Sequence, residues 1–147
     1  MALRETSGTV SGETAEDLLE WLGDLTGCPP ITHTVLACCD RHGPDDDATW
    51  CYVEADASAG VARRRCVACG ATAALLDSAE RWTFPPMFSC RSCSQSLVEV
   101  GAALSTSEAD ETHWVALAAR CVACGRIEGL TDAVVDGIPR QEMVERL

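Results

Sequence analysis

The chain has 147 residues, with 11 basic side chains set against 23 acidic ones and a formal charge of −12. Nucleic-acid binding depends on lysine and arginine to neutralise phosphates, and no segment here is basic: residues 1–31 carry one arginine and six acids, 32–81 five and eight, 82–137 three and seven, and 138–147 two and two. No apolar stretch is long enough to span a bilayer and Met1 to Gly8 lacks a signal-peptide core, so a cytoplasmic setting is expected; missing lysine and asparagine beside abundant alanine and arginine fit a GC-rich bacterial genome.

Residues 1–13, rich in Ser, Thr, Gly and Glu, read as a disordered tail. Residues 14–31 follow as a helical segment. Thr14 is placed to cap it, with Asp17 completing a capping box, and Leu18, Leu22 and Leu25 form an apolar stripe beside Trp21 that ends at Gly27 and Pro29-Pro30. The stripe is expected to cover the first of two small sheets, with homodimerisation or partner binding through this helix as its alternative use.

Ile31 to Leu36 has the β-branched character of a strand, and it leads into Cys39-Asp40-Arg41-His42 and a solvated turn at Asp45, Asp46 and Asp47. Trp50 to Glu54 and Gly60 to Arg65 read as the arms of a hairpin, on which Arg63, Arg64 and Arg65 are expected to be solvated. The second arm runs into Arg65-Cys66-Val67-Ala68-Cys69-Gly70. Residues 82–89, with Pro85 and Pro86 among Trp82, Phe84, Met87 and Phe88, form a connector. Its apolar groups either join two units or offer a docking patch. Then come Cys90-Arg91-Ser92-Cys93, a second pair of arms at Ser96 to Val100 and His113 to Leu117, and Arg120-Cys121-Val122-Ala123-Cys124-Gly125, which repeats the earlier hexapeptide letter for letter 55 positions on. Leu75 and Asp77 recur as Leu130 and Asp132. Pro139 opens a short terminal helix within residues 138–147.

The repeat predicts two like units, residues 32–81 and 90–137. Aligning the copies pairs Cys39 with Cys90 and His42 with Cys93, with 23 residues from His42 to Cys66 and 27 from Cys93 to Cys121. A tight Cys-x2-Cys turn supplies two ligands to a tetrahedral ion, so two turns close one site. If each unit folds alone, the pairing is sequential rather than cross-braced: Cys39, His42, Cys66 and Cys69 in site one, and Cys90, Cys93, Cys121 and Cys124 in site two. Cys38 and His33 are the other candidates to complete site one. Cys28 has no assigned role, and Cys51 is expected to be a small buried hydrophobe. In a reducing compartment these cysteines read as metal ligands, two zinc ions per chain, rather than as cystines.

A knuckle, a β-hairpin and a second knuckle ending in Cys-x2-Cys-Gly resemble the zinc-ribbon family and, in the same geometry around iron, the rubredoxins. The resemblance covers roughly residues 35 to 135 as two copies. It implies a small, mainly β, metal-stabilised fold with helices at the termini. Zinc ribbons imply structural metal with protein or nucleic-acid binding; rubredoxins imply iron, here in the all-cysteine second site, and electron transfer. Gly43 follows the first knuckle but Ser94 stands in the matching place of the second copy, and His42 departs from an all-cysteine iron site.

Closed tetrahedral sites cannot activate water, and no nucleophile motif or phosphate-binding loop appears. The expected protein is therefore not an enzyme. It is an acidic interaction module for a protein partner with a basic surface, without membrane or nucleic-acid contact, and with an electron carrier or a nucleic-acid-binding regulator as the alternatives. Two units this small are also expected to depend on their metal for folding.

Overall fold

The computed structural model describes residues 3–39, 41, 49–75 and 78–147. In chain order its elements are β1 (Arg4–Thr6), β2 (Thr9–Ser11), α1 (Ala15–Gly23), β3 (His33–Leu36), β4 (Trp50–Asp56), β5 (Val61–Cys66), β6 (Thr72–Leu75), a 3-10 turn (Ser78–Arg81), β7 (Val98–Thr106), β8 (Glu111–Cys121), β9 (Arg126–Pro139) and α2 (Arg140–Glu145). The Asp45 to Asp47 turn lies outside the described residues.

Among the described residues all nine strands join one antiparallel sheet in the order β1-β2-β9-β8-β7-β4-β5-β6, with β3 also on β7. This differs from the expected pair of separate ribbons. The hairpin β4-β5 and the hairpin β7-β8 meet through their first strands, Trp50 opposite Glu99 and Cys51 opposite Val98. Pairing two hairpin edges satisfies backbone groups that each would otherwise leave open, a long-range choice that no local pattern announces.

The register is the same on both sides of that seam. Arg65 faces Thr72 and, 55 residues on, Arg120 faces Ile127. The segments ahead of the first knuckles cross over reciprocally: β3 lies on β7, with Leu36 opposite Gly101 and the Ala37 amide on the Val100 carbonyl at 2.8 Å. Met87 bridges Glu54 of β4, and the Phe88 amide meets the Val53 carbonyl, also at 2.8 Å. The connector is thus used in two ways. Phe88 packs against the core while Phe84 is 83% exposed.

The central strands β7 and β8 are buried on both faces over Val98–Leu104 and Trp114–Cys121. Their sequences are near-continuous small and apolar runs rather than alternating ones, so both faces need cover. On one face Val53, Leu75, Val100 and Leu117 pack with Met143 of α2 and with Leu147; on the other, Leu18 and Leu22 of α1 pack on Ala103, Trp114, Ala116 and Ala118. The stripe of α1 therefore covers mainly the second hairpin, not the first as expected. The capping box of Thr14 and Asp17 starts this helix. Gly101 lets it sit close, because a Cβ there would stand 2.8 Å from Leu22 Cδ1. Gly101→Ala is expected to cost about 1–3 kcal/mol through overpacking, read as a lower urea midpoint with an unchanged slope.

Two further expectations give way. Residues 4–11 form the hairpin β1-β2, which pairs with β9 rather than trailing as a disordered tail. What holds it is Arg120, whose guanidinium donates to the carbonyls of Gly12 (2.8 Å) and Glu13 (2.5 Å) while pairing with Glu99 at 2.6 Å. Nor is the arginine run solvated throughout. Arg64 is buried, donating to the backbone oxygens of Leu147 (2.7 Å) and Cys38 (3.0 Å), and Arg63 pairs with Glu54 and lies 4.6 Å over the Trp82 ring. A buried guanidinium is stable only where several acceptors converge, and here they come from distant parts of the chain.

Candidate metal centre

Site two is assembled by two turns at the ends of strands. The first, ahead of β7, is closed by the Ser94 amide on the Cys90 carbonyl (2.8 Å) and by the Cys90 amide on the Gln95 carbonyl (2.8 Å); the second, after β8, is closed by the Gly125 amide on the Cys121 carbonyl (2.8 Å). Each needs a left-handed residue as it closes, and Ser94 (φ +65°) fills in one turn the place that Gly125 (φ +82°) fills in the other. The Sγ atoms of Cys90, Cys93, Cys121 and Cys124 all lie within 4.8 Å of one another, with Cys90 to Cys124 and Cys93 to Cys121 each at 3.5 Å.

Site one repeats the construction. The Gly70 amide meets the Cys66 carbonyl at 2.9 Å with φ +74°, and the Sγ atoms of Cys39, Cys66 and Cys69 cluster within 4.8 Å, Cys39 to Cys69 at 3.7 Å. His42 lies outside the described residues. Neither rival joins this cluster: the exposed Cys38 turns its thiol toward the Cys39 carbonyl at 3.7 Å, and His33 Nδ1 sits beside Thr32 Oγ1 at 3.1 Å. The cysteines are thus grouped sequentially and not across the two units.

The spacing fits an ion. A tetrahedron with metal–sulfur bonds of about 2.3 Å has edges of roughly 3.8 Å, close to the separations seen. The electrostatics agree. Desolvation raises the Cys121 thiol and pushes Cys124 up to about 12, with neighbouring thiols adding to the latter, whereas at Cys90 burial is outweighed by the amides of Cys93 and Ser92 and the thiol is lowered. At Cys69 the Ala71 amide acts downward, yet desolvation and the thiols of Cys39 and Cys66 raise it overall. Crowded thiols hold one another protonated, and a cation among them reverses the balance and deprotonates them. Cys51, by contrast, stands outside the cluster as a thiol that burial pushes up to about 12, against the opposing pull of Arg64.

No protein-family model, curated protein or solved structure matches this chain. Among the described residues, no helix is long and apolar enough to cross a membrane.

The two glycines predict different sensitivities. At Gly70 a Cβ would meet nothing within 4 Å, whereas at Gly125 it would lie 2.4 Å from the Gly12 carbonyl oxygen, next to the hydrogen bond from the Gly12 amide to the Gly125 carbonyl. Gly70→Ala is expected to cost about 1–2 kcal/mol for the left-handed backbone alone. Gly125→Ala should cost more and release the β1-β2 hairpin, visible as faster amide exchange over residues 4–11.

Proposed function

We propose that the chain is a non-catalytic, zinc-held scaffold of two duplicated ribbon-like units, acting in the cytoplasm as an acidic docking module for a protein partner with a basic surface. The observation that carries this reading is the four-sulfur cluster of Cys90, Cys93, Cys121 and Cys124. Four thiolates fill a tetrahedral ion and leave no position at which water could be activated. The duplication is supported by the identical hexapeptides and by the equal registers of Arg65 and Arg120.

The electrostatic side rests on the formal charge of −12, which favours basic partners over phosphate backbones. Among the described residues, the groove between α1 and β8-β9 is lined by one carboxylate, Asp132, which accepts from Trp114 Nε1 at 3.3 Å. Zinc is favoured over iron because the proposed set of site one includes His42, although four sulfurs accept either metal.

Elemental analysis of protein purified without added metal tests the reading, with two zinc ions per chain expected. A coloured, iron-loaded second site would favour electron transfer instead, and a single zinc would leave site one without support. Partners captured at low ionic strength should be basic and be lost as salt rises; recovery of nucleic acid would reverse the assignment.

A further inference from the structure

Cys51 has an unusual neighbour. On β4 it stands directly opposite Cys66 of β5, a ligand of site one. The Val67 amide bonds the Trp50 carbonyl at 3.1 Å, while the Cys66 amide turns away to Ala71 at 2.9 Å. Cys51 and Cys66 are therefore a non-hydrogen-bonded antiparallel pair, whose Cα atoms approach to about 4.5 Å with side chains on one face. That separation lies within the span of about 4.4–6.8 Å that a disulfide bridges without moving the backbone. In the second hairpin the equivalent position, opposite Cys121, is Val98. The two sites thus differ in one respect: only the first has a spare thiol facing a ligand across the strands.

We propose that Cys51 and Cys66 form a redox-sensitive pair, which captures Cys66 as a disulfide under peroxide and so releases the ion from site one while site two keeps its own. This rests on the metal-centre reading above. The oxidant is hydrogen peroxide. The Cys66 sulfur attacks the O–O bond to give a sulfenic acid and one water; the Cys51 sulfur then displaces the hydroxyl, which leaves as a second water. The Cys66 thiolate and the Cys51 thiol together lose two electrons, one proton comes from Cys51 and one from solvent, and one peroxide becomes two waters. Holding the second thiol in place makes the closing step intramolecular, and this step, rather than the first oxidation, commits Cys66 to leaving the ion. The ligand thiols alone do not distinguish the sites, since both clusters contain them.

The test measures metal content first, then follows release into a chromophoric chelator during peroxide treatment and maps non-reduced peptides by mass spectrometry. The full-length protein should lose metal from site one at least about tenfold faster than from site two, in keeping with the intramolecular advantage, with Cys51–Cys66 as the main cross-link. Cys51→Val copies the residue of the equivalent place and should fold, bind the same metal and release it from site one as slowly as from site two. V98C should transfer the sensitivity to site two. Release in Cys51→Val as fast as in the native chain, or cross-links confined to Cys39, Cys66 and Cys69, would overturn the proposal. If metal is absent from the start, the metal reading fails by itself; the peptide map of the oxidised chain still decides on the pair, its presence supporting the proposal and its absence defeating it.

Discussion

Cys121→Ser is expected to remove one ion from the purified protein and to destabilise it by more than about 4 kcal/mol, the range that loss of a structural metal occupies. Cys121 ends β8 with 1% of its surface exposed and faces Val98 across the sheet, so an unliganded group there sits in the interior of the fold rather than at its rim. The exposed Cys124 occupies the same tetrahedron from the solvent side, and Cys124→Ser should be milder. Because the sheet carries core on both faces, the metal-free protein should keep part of its β-structure, which modifies the expectation that folding depends on the metal. Elemental analysis with thermal melts followed by circular dichroism measures both effects. An unchanged melting temperature after loss of the ion would show that site two does not stabilise the fold.

Arg120→Met should cost about 3–5 kcal/mol, the range for removing one member of a buried ion pair. Arg120 and Glu99 have side chains only 9% and 8% exposed and meet at 2.6 Å, and the same guanidinium holds the carbonyls of Gly12 and Glu13. The methionine would fill much of the space but leave the Glu99 carboxylate buried with Thr49 Oγ1, at 3.2 Å, as a remaining donor. Adding Glu99→Leu should recover much of the loss, while the N-terminal hairpin stays loose in both variants. Urea unfolding gives the energies. A loss below about 1 kcal/mol for Arg120→Met, the value typical of exposed pairs, would mean that water reaches the pair.

The duplication was legible in a letter-for-letter hexapeptide and matching gaps, and the sequential grouping of the cysteines was inferred from it. The same hexapeptide shows where such reading stops. Arg65 and Arg120 open identical motifs in identical registers, yet Arg65 is exposed over the Tyr52 ring whereas Arg120 is buried on Glu99. Nothing in the hexapeptide itself separates them; Arg120 is held by Gly12 and Glu13, more than a hundred positions away. The polar segment 4–11 gave no hydrophobic pattern from which to infer its strands, since its order comes from that distant guanidinium and from the edge of β9. The seam between β4 and β7 was equally hidden, because two edge strands carry no sequence mark naming their partner. Capping was the opposite case: Thr14 and Asp17 act locally and were readable.

The crossing of β3 onto β7, answered by Met87 and Phe88 on β4, has a consequence for anyone wishing to dissect the molecule. Each half has lent an arm to its sibling, so cleavage between Arg81 and Trp82 would yield two incomplete pieces, one without β3 on β7 and the other without the Met87–Phe88 bridge on β4. Mixed together, such pieces are expected to re-form the whole; kept apart, each would offer its vacated edge to the next copy of itself.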